Sequence, residues 1–292
     1  MTVSSTSISA VIPAYNAEGF LRSAIESALS QTLKPIEIVV VDDGSKDNTF
    51  KIASSYGPPV VAFQQLNQGP ASARNLGICR SHGEWIAFLD ADDTWLPYKL
   101  ERQAEFTDPG VGLIYCLARG RSLSAPDNLT FEELWCQNHI VNSSTLVQRA
   151  TLDQCGGFDP DPTLIGVEDY NLWLRIAAAG WRIRSLPEEL CSYTPHHNSL
   201  SHQILRSSSG HFANAKKVAA QMQLSRAKLR EKEISICNAF GFDCLFVRDM
   251  LNARKFLRQS LGHCVSARAL AGLVASYVPI RILDWRRSLF QK

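Results

Sequence analysis

An α/β fold on a mainly parallel sheet is what the sequence predicts, and three observations predict it. Short apolar or β-branched runs alternate with helical patterns of about ten residues along the first part of the chain. One run, Ile36-Glu-Ile-Val-Val-Val41, is apolar enough for a strand buried on both faces. Three polar clusters, Pro13-Ala14-Tyr15-Asn16, Asp42-Asp43-Gly44 and Asp90-Ala91-Asp92, each follow such a run directly. Ligands collect at the carboxyl ends of strands in parallel sheets, so the three clusters are expected to share one edge.

Element by element, Ile8 to Ile12 reads as the first strand, ended by Pro13. Gly19 to Ser30 carries apolar residues at 20, 21, 24, 25, 28 and 29, one helical face. After the strand ending at Val41, Asp47 is the expected N-cap of a short helix reaching Tyr56. Val60 to Gln64 is the third strand, Pro70 to Ser81 a helix with proline in its first turn, and Trp85 to Leu89 the fourth strand. The pattern weakens after Tyr115. Residues 118 to 139 read as a loop with a short helix, Val141 to Val147 as a strand, and Glu168 to Ala179 as a helix ended by Gly180. Later the chain turns helical, with one helix from Phe212 to Ile234 and a second from Ser235 to Leu261. The expected division is a sheet domain at 1–205 and a helical region at 206–292.

A chain of 292 residues can bury a sizeable core, and 20% charged with 45% hydrophobic residues is a globular composition. The net charge of +2 does not call for nucleic acid as a partner. Its distribution is uneven: Leu251 to Lys292 holds eight basic residues and one acid, net +7, which leaves −5 for the rest. A basic tail on an acidic body points to an anionic surface. The eight cysteines show no CxxC spacing, and MTVSSTSIS lacks a basic and apolar leader, so reduced thiols in a cytoplasmic protein are the expectation.

The stretch FLDADDTW raises the sharpest question, because Asp90, Asp92 and Asp93 crowd together after a buried run. Alternation along an extended strand end would let Asp90 and Asp92 reach one ligand. Hard divalent cations, Mg²⁺ or Mn²⁺, favour carboxylates with phosphate completing the shell. An acidic loop or cap before the helix from Pro97 is the alternative.

VIPAYNAEGFLRSAIESALSQTLKPIEIVVVDDGSKDNT, NQGPASARNLGI, GEWIAFLDADDTW and GGFDPDPTLIGVEDYNLWLR, in that order, resemble the family 2 glycosyltransferases over about residues 6 to 200. The resemblance implies the GT-A fold and inverting transfer of one sugar from a nucleotide-sugar, a UDP-sugar, to a saccharide or lipid-linked acceptor. It implies that Pro13, Ala14 and Tyr15 line the base pocket, and that Asp43 binds the base with support from Asp42. Arg74 would reach the ribose or phosphates. Asp92 leads the metal ligands, Asp90 lies nearer the ribose, and Asp93 is an alternative ligand. Glu168-Asp169 matches the pair that holds the general base; Asp169 is preferred and Glu168 is the alternative. His196, with His197 as runner-up, would contact the diphosphate or metal. Asn171 stands where a third acid is common, Thr194 where an arginine is, and no QxxRW-like stretch follows residue 200, so a processive synthase is not expected. A nucleotidyltransferase and a non-catalytic sugar-nucleotide-binding protein are the rivals.

Ala269 to Ile280 is an uncharged apolar stretch of 12 residues, short of the roughly 20 a spanning helix needs. Leu270, Leu273, Val274, Tyr277 and Val278 fall on one helical face between arginines. Peripheral contact with the inner face of the plasma membrane and docking on the protein itself both fit that pattern.

Overall fold

In the computed structural model, which describes residues 6–119, 126–193 and 204–278, the alternating pattern becomes β1 (Ile8–Ala14), β2 (Glu37–Asp42), β3 (Val60–Gln64) and β4 (Trp85–Phe88). These strands are parallel, in the order β3-β2-β1-β4. Helices α1 (Leu21–Leu29), α2 (Thr49–Ser54) and α3 (Pro70–Arg80) connect them. β1 runs through Pro13 rather than ending before it. The missing N–H is tolerated because it falls on the side of β4, which has already ended: Val11 O accepts from Leu89 N, and the chain then leaves the sheet. Asp47 does not cap α2. Its carboxylate accepts from the backbone N–H groups of Glu18 and Thr49, joining the loop after β1 to the loop after β2.

The second half of the sheet is mixed. β5 (Thr94–Trp95), β6 (Val111–Arg119), β7 (Thr145–Gln148) and β8 (Arg182–Ser192) complete the order β3-β2-β1-β4-β7-β6-β8-β5. β7 is antiparallel to β4 and β6, β6 and β8 are parallel, and β5 is antiparallel to β8. The sequence reading contains neither β6 nor β8, whose alternation is weak. Pro187 in β8 is accommodated where the register jumps from Cys116↔Leu186 to Leu117↔Glu189, so Pro187 and Glu188 face no β6 residue. The strand expected from Val141 begins only at Thr145, after a single 3₁₀ turn at Asn142–Ser144. Because β7 runs against β4, that turn sits at the carboxyl end of β4, beside the aspartates.

Helices α4 (Lys99–Ala104), α5 (Phe131–Cys136), α6 (Arg149–Cys155) and α7 (Glu168–Ala178) cover this half. Ile12, Ile38, Val40, Ala87, Leu146 and Leu100 are among the residues of a continuous buried core. α3 approaches the sheet unusually closely: a Cβ at Gly77 would lie 2.4 Å from Val11 Cγ1. That contact sets the height of Arg74, one turn earlier on the same helix.

Residues up to His197 and residues from Asn198 onward form two separate compact units. The second contains α8 (Ile204–Gln221), α9 (Arg226–Phe246), α10 (Met250–His263) and α11 (Ala267–Ala275) in place of the two long helices expected. Gln223 and Arg248 take positive φ at the breaks, and the side chains of Ser225 and Asp249 then cap the next helices through Lys228 N and Asn252 N. Cys244, Ala253 and Phe256 form a small core with Phe212 and Phe240. Among the described residues no helix is long and apolar enough to cross a membrane.

Candidate active site

At the carboxyl edge of the parallel strands, the loops after β1 and β2 are tied together. Asn16 N donates to Ser45 Oγ (2.8 Å), Lys46 N to Asn16 Oδ1 (2.9 Å), and Ala17 N to Thr49 Oγ1 (2.8 Å). Pro13 and Ala14 are buried at the strand end, and Tyr15 beyond them is 48% exposed. Asp43 is buried and organises the segment before α3. Its Oδ1 accepts from Gln65 Nε2 (2.7 Å) and Gln68 N (2.9 Å), and its Oδ2 from Gly69 N (2.8 Å). Three of about four acceptor positions on the carboxylate are thereby filled. Asp42 lies behind it, accepting from Gln64 Nε2 (2.8 Å). Gly44 has φ of +74°, and a Cβ there would meet Asn67 N at 2.9 Å, so the turn requires glycine.

Asp90 to Asp93 is not the extended strand end expected. Asp93 N donates to Asp90 O (3.0 Å) and closes a turn, so strand alternation does not pair Asp90 with Asp92. The three acids have different surroundings. Asp90 Oδ1 accepts from Arg74 Nη2 (2.7 Å) and Asn142 Nδ2 (2.9 Å). Asp93 is buried and accepts from Ser143 Oγ (2.5 Å). Asp92 is partly exposed within the turn. Among the described residues no three His, Cys, Asp or Glu side chains converge as a metal-binding set.

The start of α7 completes the cluster. Glu168 Oε1 accepts from Arg74 Nη1 (2.6 Å) and its Oε2 from Gly166 N (2.6 Å). Burial by itself would lower the pKa of the Arg74 guanidinium, but the charges of Asp90 and Glu168 outweigh it and the net shift is upward. Asp169 keeps a narrow opening to solvent although its carboxylate is largely desolvated. Burial raises its pKa to about 7 and the charge of Glu168 adds to the rise; Arg74 and the N–H of Tyr170, 2.6 Å from Oδ1, oppose it. A helix start favours the ionised carboxylate, yet here desolvation wins. Asn171, at the position where a third acid is common, is fully buried and accepts from Arg175 Nε (2.9 Å) within its own helix.

The fold thus gathers Arg74, Asp90, Glu168 and Asp169 into one network, with Asp92 beside it. It sets Tyr15, Asp42 and Asp43 along the β1–β2 end of the edge. Arg74, read from sequence as a donor contact, has its two terminal nitrogens committed to carboxylates. Asn142 and Ser143 are absent from the sequence reading, yet they fasten the aspartate turn; Ser143 also accepts from Asp90 N (3.0 Å). Their signal is a run of four small polar residues, Asn142 to Thr145, all buried between apolar neighbours. Asn142 Oδ1 is buried without a partner. His196 and His197 lie outside the described residues.

A Glycosyl transferase family 2 model matches residues 9–152. An uncharacterized glycosyltransferase of Rickettsia prowazekii (strain Madrid E) is 34% identical over 185 residues, 58% of this chain; the chain spans 58% of that relative's length. The UDP-Glc:alpha-D-GlcNAc-diphosphoundecaprenol beta-1,3-glucosyltransferase WfaP of Escherichia coli is 30% identical over 204 residues, 66% of this chain and 79% of that protein. Among solved structures, S. aureus TarS 1-349 in complex with UDP-GlcNAc superimposes with a TM-score of 0.64 at 19% identity, covering 93% of this chain and 89% of that one. The mannosyltransferase PcManGT of Pyrobaculum calidifontis, in complex with GDP-Man and Mn2+, gives 0.60 at 19%, covering 93% and 86%. With WfaP 30% identical and matched over 79% of its length, and the solved glycosyltransferases superimposing over 93% of this chain, the chain belongs to glycosyl transferase family 2 and has the GT-A fold.

Proposed function

We propose that the protein transfers one sugar, with inversion, from a UDP-sugar to a hydroxyl of a saccharide or lipid-linked acceptor in cell-surface glycan assembly. The observation that carries this reading is the single ion-pair network joining the donor-side turn to the acceptor-side helix start. Asp169 takes the acceptor hydroxyl's proton, and the oxygen attacks the anomeric carbon from the face opposite the diphosphate. The bond to the diphosphate breaks, and UDP leaves with the electron pair. A divalent cation fits Asp92, the partly exposed carboxylate of the turn, with phosphate oxygens and water as further ligands; when bound it supplies Lewis-acid stabilisation of the leaving group. The acceptor position left on Asp43 suits an imide N–H of uracil, and Tyr15 suits the base face. UDP in the names of WfaP and the TarS complex supports the same donor, whereas PcManGT carries GDP-Man.

A panel of UDP- and GDP-sugars decides. With Mn²⁺ present, one or more UDP-sugars should raise Tm, and UDP should be released when acceptor is added. Protection by GDP-sugars alone would change the donor. Pyrophosphate release from a nucleoside triphosphate would make the protein a nucleotidyltransferase, and binding without turnover at high enzyme would make it a binding module.

The helical unit suits a peripheral membrane role on the cytoplasmic side. Leu270, Val274 and Tyr277 are at least half exposed on one face of α11 and the turn beyond it. Arg254 lies over the Tyr277 ring at 4.1 Å, and Arg258 bonds the Tyr277 hydroxyl. Each basic residue near an anionic surface contributes about 1 kcal/mol. The protein should float with vesicles containing phosphatidylglycerol, and Leu270→Glu/Val274→Glu should reduce that binding at least tenfold, as expected for losing about 1.4 kcal/mol or more. Equal binding by the double variant would remove α11 from the contact.

A further inference from the structure

We propose that Arg74 is a positioning residue rather than a donor ligand: it ties the turn bearing Asp90 and Asp92 to the start of α7, and it holds a cation beside Asp169. The site reading above supplies the reaction, but the inference itself rests on the geometry of Arg74. Arg74 is 5% exposed, with its guanidinium carbon 5.2 Å from the centre of the Phe158 ring. Nη1 reaches Glu168 at 2.6 Å and Nη2 reaches Asp90 at 2.7 Å, so each prong of the fork takes one motif's first acid. The position of the fork is therefore set by the two carboxylates, and Nε is buried without a partner.

The arrangement sorts the acids. Asp90 and Glu168, the first members of their motifs, sit in the clamp, and Asp169 follows Glu168 directly at the start of α7. The charged groups facing Asp169 are Glu168 on its own helix, Arg74 from α3 and Asp90 from the turn after β4. Arg74 acts on Asp169 in the direction opposite to both acids. Only a planar fork spans two carboxylates in this way, so lysine is not an equivalent.

The test reads the Asp169 carboxyl directly, by titrating ¹³C-labelled aspartate in the ligand-free protein and assigning the signal with Asp169→Asn. Arg74→Met should move its midpoint up by about one pH unit or more, and Glu168→Gln should move it down by a similar amount. The double variant should return it close to the wild-type value. Arg74→Lys should keep the midpoint near wild type while kcat falls by about 10²-fold, because a misplacement on the order of 1 Å costs that much. If Arg74→Met does not fold, Glu168→Gln and Arg74→Lys still decide. Shifts in the same direction, no shift in Glu168→Gln, or an undiminished kcat in Arg74→Lys would overturn the proposal. So would an unmoved midpoint in Arg74→Met together with a tenfold weaker UDP Kd, which would make Arg74 a donor contact. Absence of any sugar transfer by the wild type defeats the functional reading alone, since the titration arm does not depend on turnover.

Discussion

Asp169→Asn is expected to lower kcat by about 10²- to 10⁴-fold, the usual contribution of a positioned base, with UDP affinity changed by less than about twofold. The nucleotide contacts proposed above lie on other elements, from Pro13 to Asp92, so binding and turnover should separate. The same substitution has a stability consequence with a definite sign. An ordinary aspartate loses its proton near pH 4, whereas Asp169 holds it until about pH 7. Between those values the folded state binds a proton that the unfolded state has released, so this group's contribution to stability falls as pH rises from about 4 to 7. Asparagine carries no such loss. Asp169→Asn should therefore have the higher Tm at pH 8, with the difference shrinking toward pH 5. The acid limb of kcat/KM in the wild type should lie near pH 7. Near-normal turnover in Asp169→Asn would place the base elsewhere and reduce Glu168-Asp169 to a helix start.

The aspartate turn should yield three phenotypes from three neighbouring acids. Asp92→Asn should retain the wild-type Tm yet lose roughly 10²- to 10³-fold in kcat at saturating Mn²⁺, because a metal Lewis acid contributes several kcal/mol and each 1.4 kcal/mol is tenfold. Asp93→Ala should instead lower Tm, since it strands the buried Ser143 hydroxyl at a cost of about 1–3 kcal/mol. Asp90→Asn should affect both, because Asp90 is shared by Arg74 and Asn142. Full turnover in excess chelator, or a wild-type kcat in Asp92→Asn, would remove the metal from the scheme.

The parallel half of the sheet was legible because β-branched runs, helical periodicity and turn residues agree from Ile8 to Phe88. The mixed half was not. β8 contains Pro187 and adjacent acids, and a bulge that exists only through pairing with β6 makes them acceptable. The helix breaks at Gln223 and Arg248 use positive φ without glycine, so no residue type marks them. At the site, the ordered motifs gave the residue types and the shared edge. They did not give the partners: Arg74 meets Glu168 across 94 positions, and Asn142 meets Asp90 across 52. Whether an arginine faces a ligand or a carboxylate is decided by such long-range contacts, which local pattern does not contain. The pKa of Asp169 was open for the same reason, since the helix start and burial oppose each other and only packing decides between them.

The two-residue strand β5 has a consequence for the order in which the molecule is made. It pins the far end of the aspartate turn to β8, pairing Thr94 with Ser192, so 98 positions must be synthesised between the two. β1 to β4, with Tyr15 and Asp43 at their ends, can pair from contacts within the first 88 residues. At about 5–20 residues per second, the ribosome delivers β8 roughly 5–20 s after β5. Closing so long a loop early would cost entropy before any pairing rewards it. A nascent chain therefore acquires the wall that carries Tyr15 and Asp43 first, and the pinned aspartate turn only when β8 arrives.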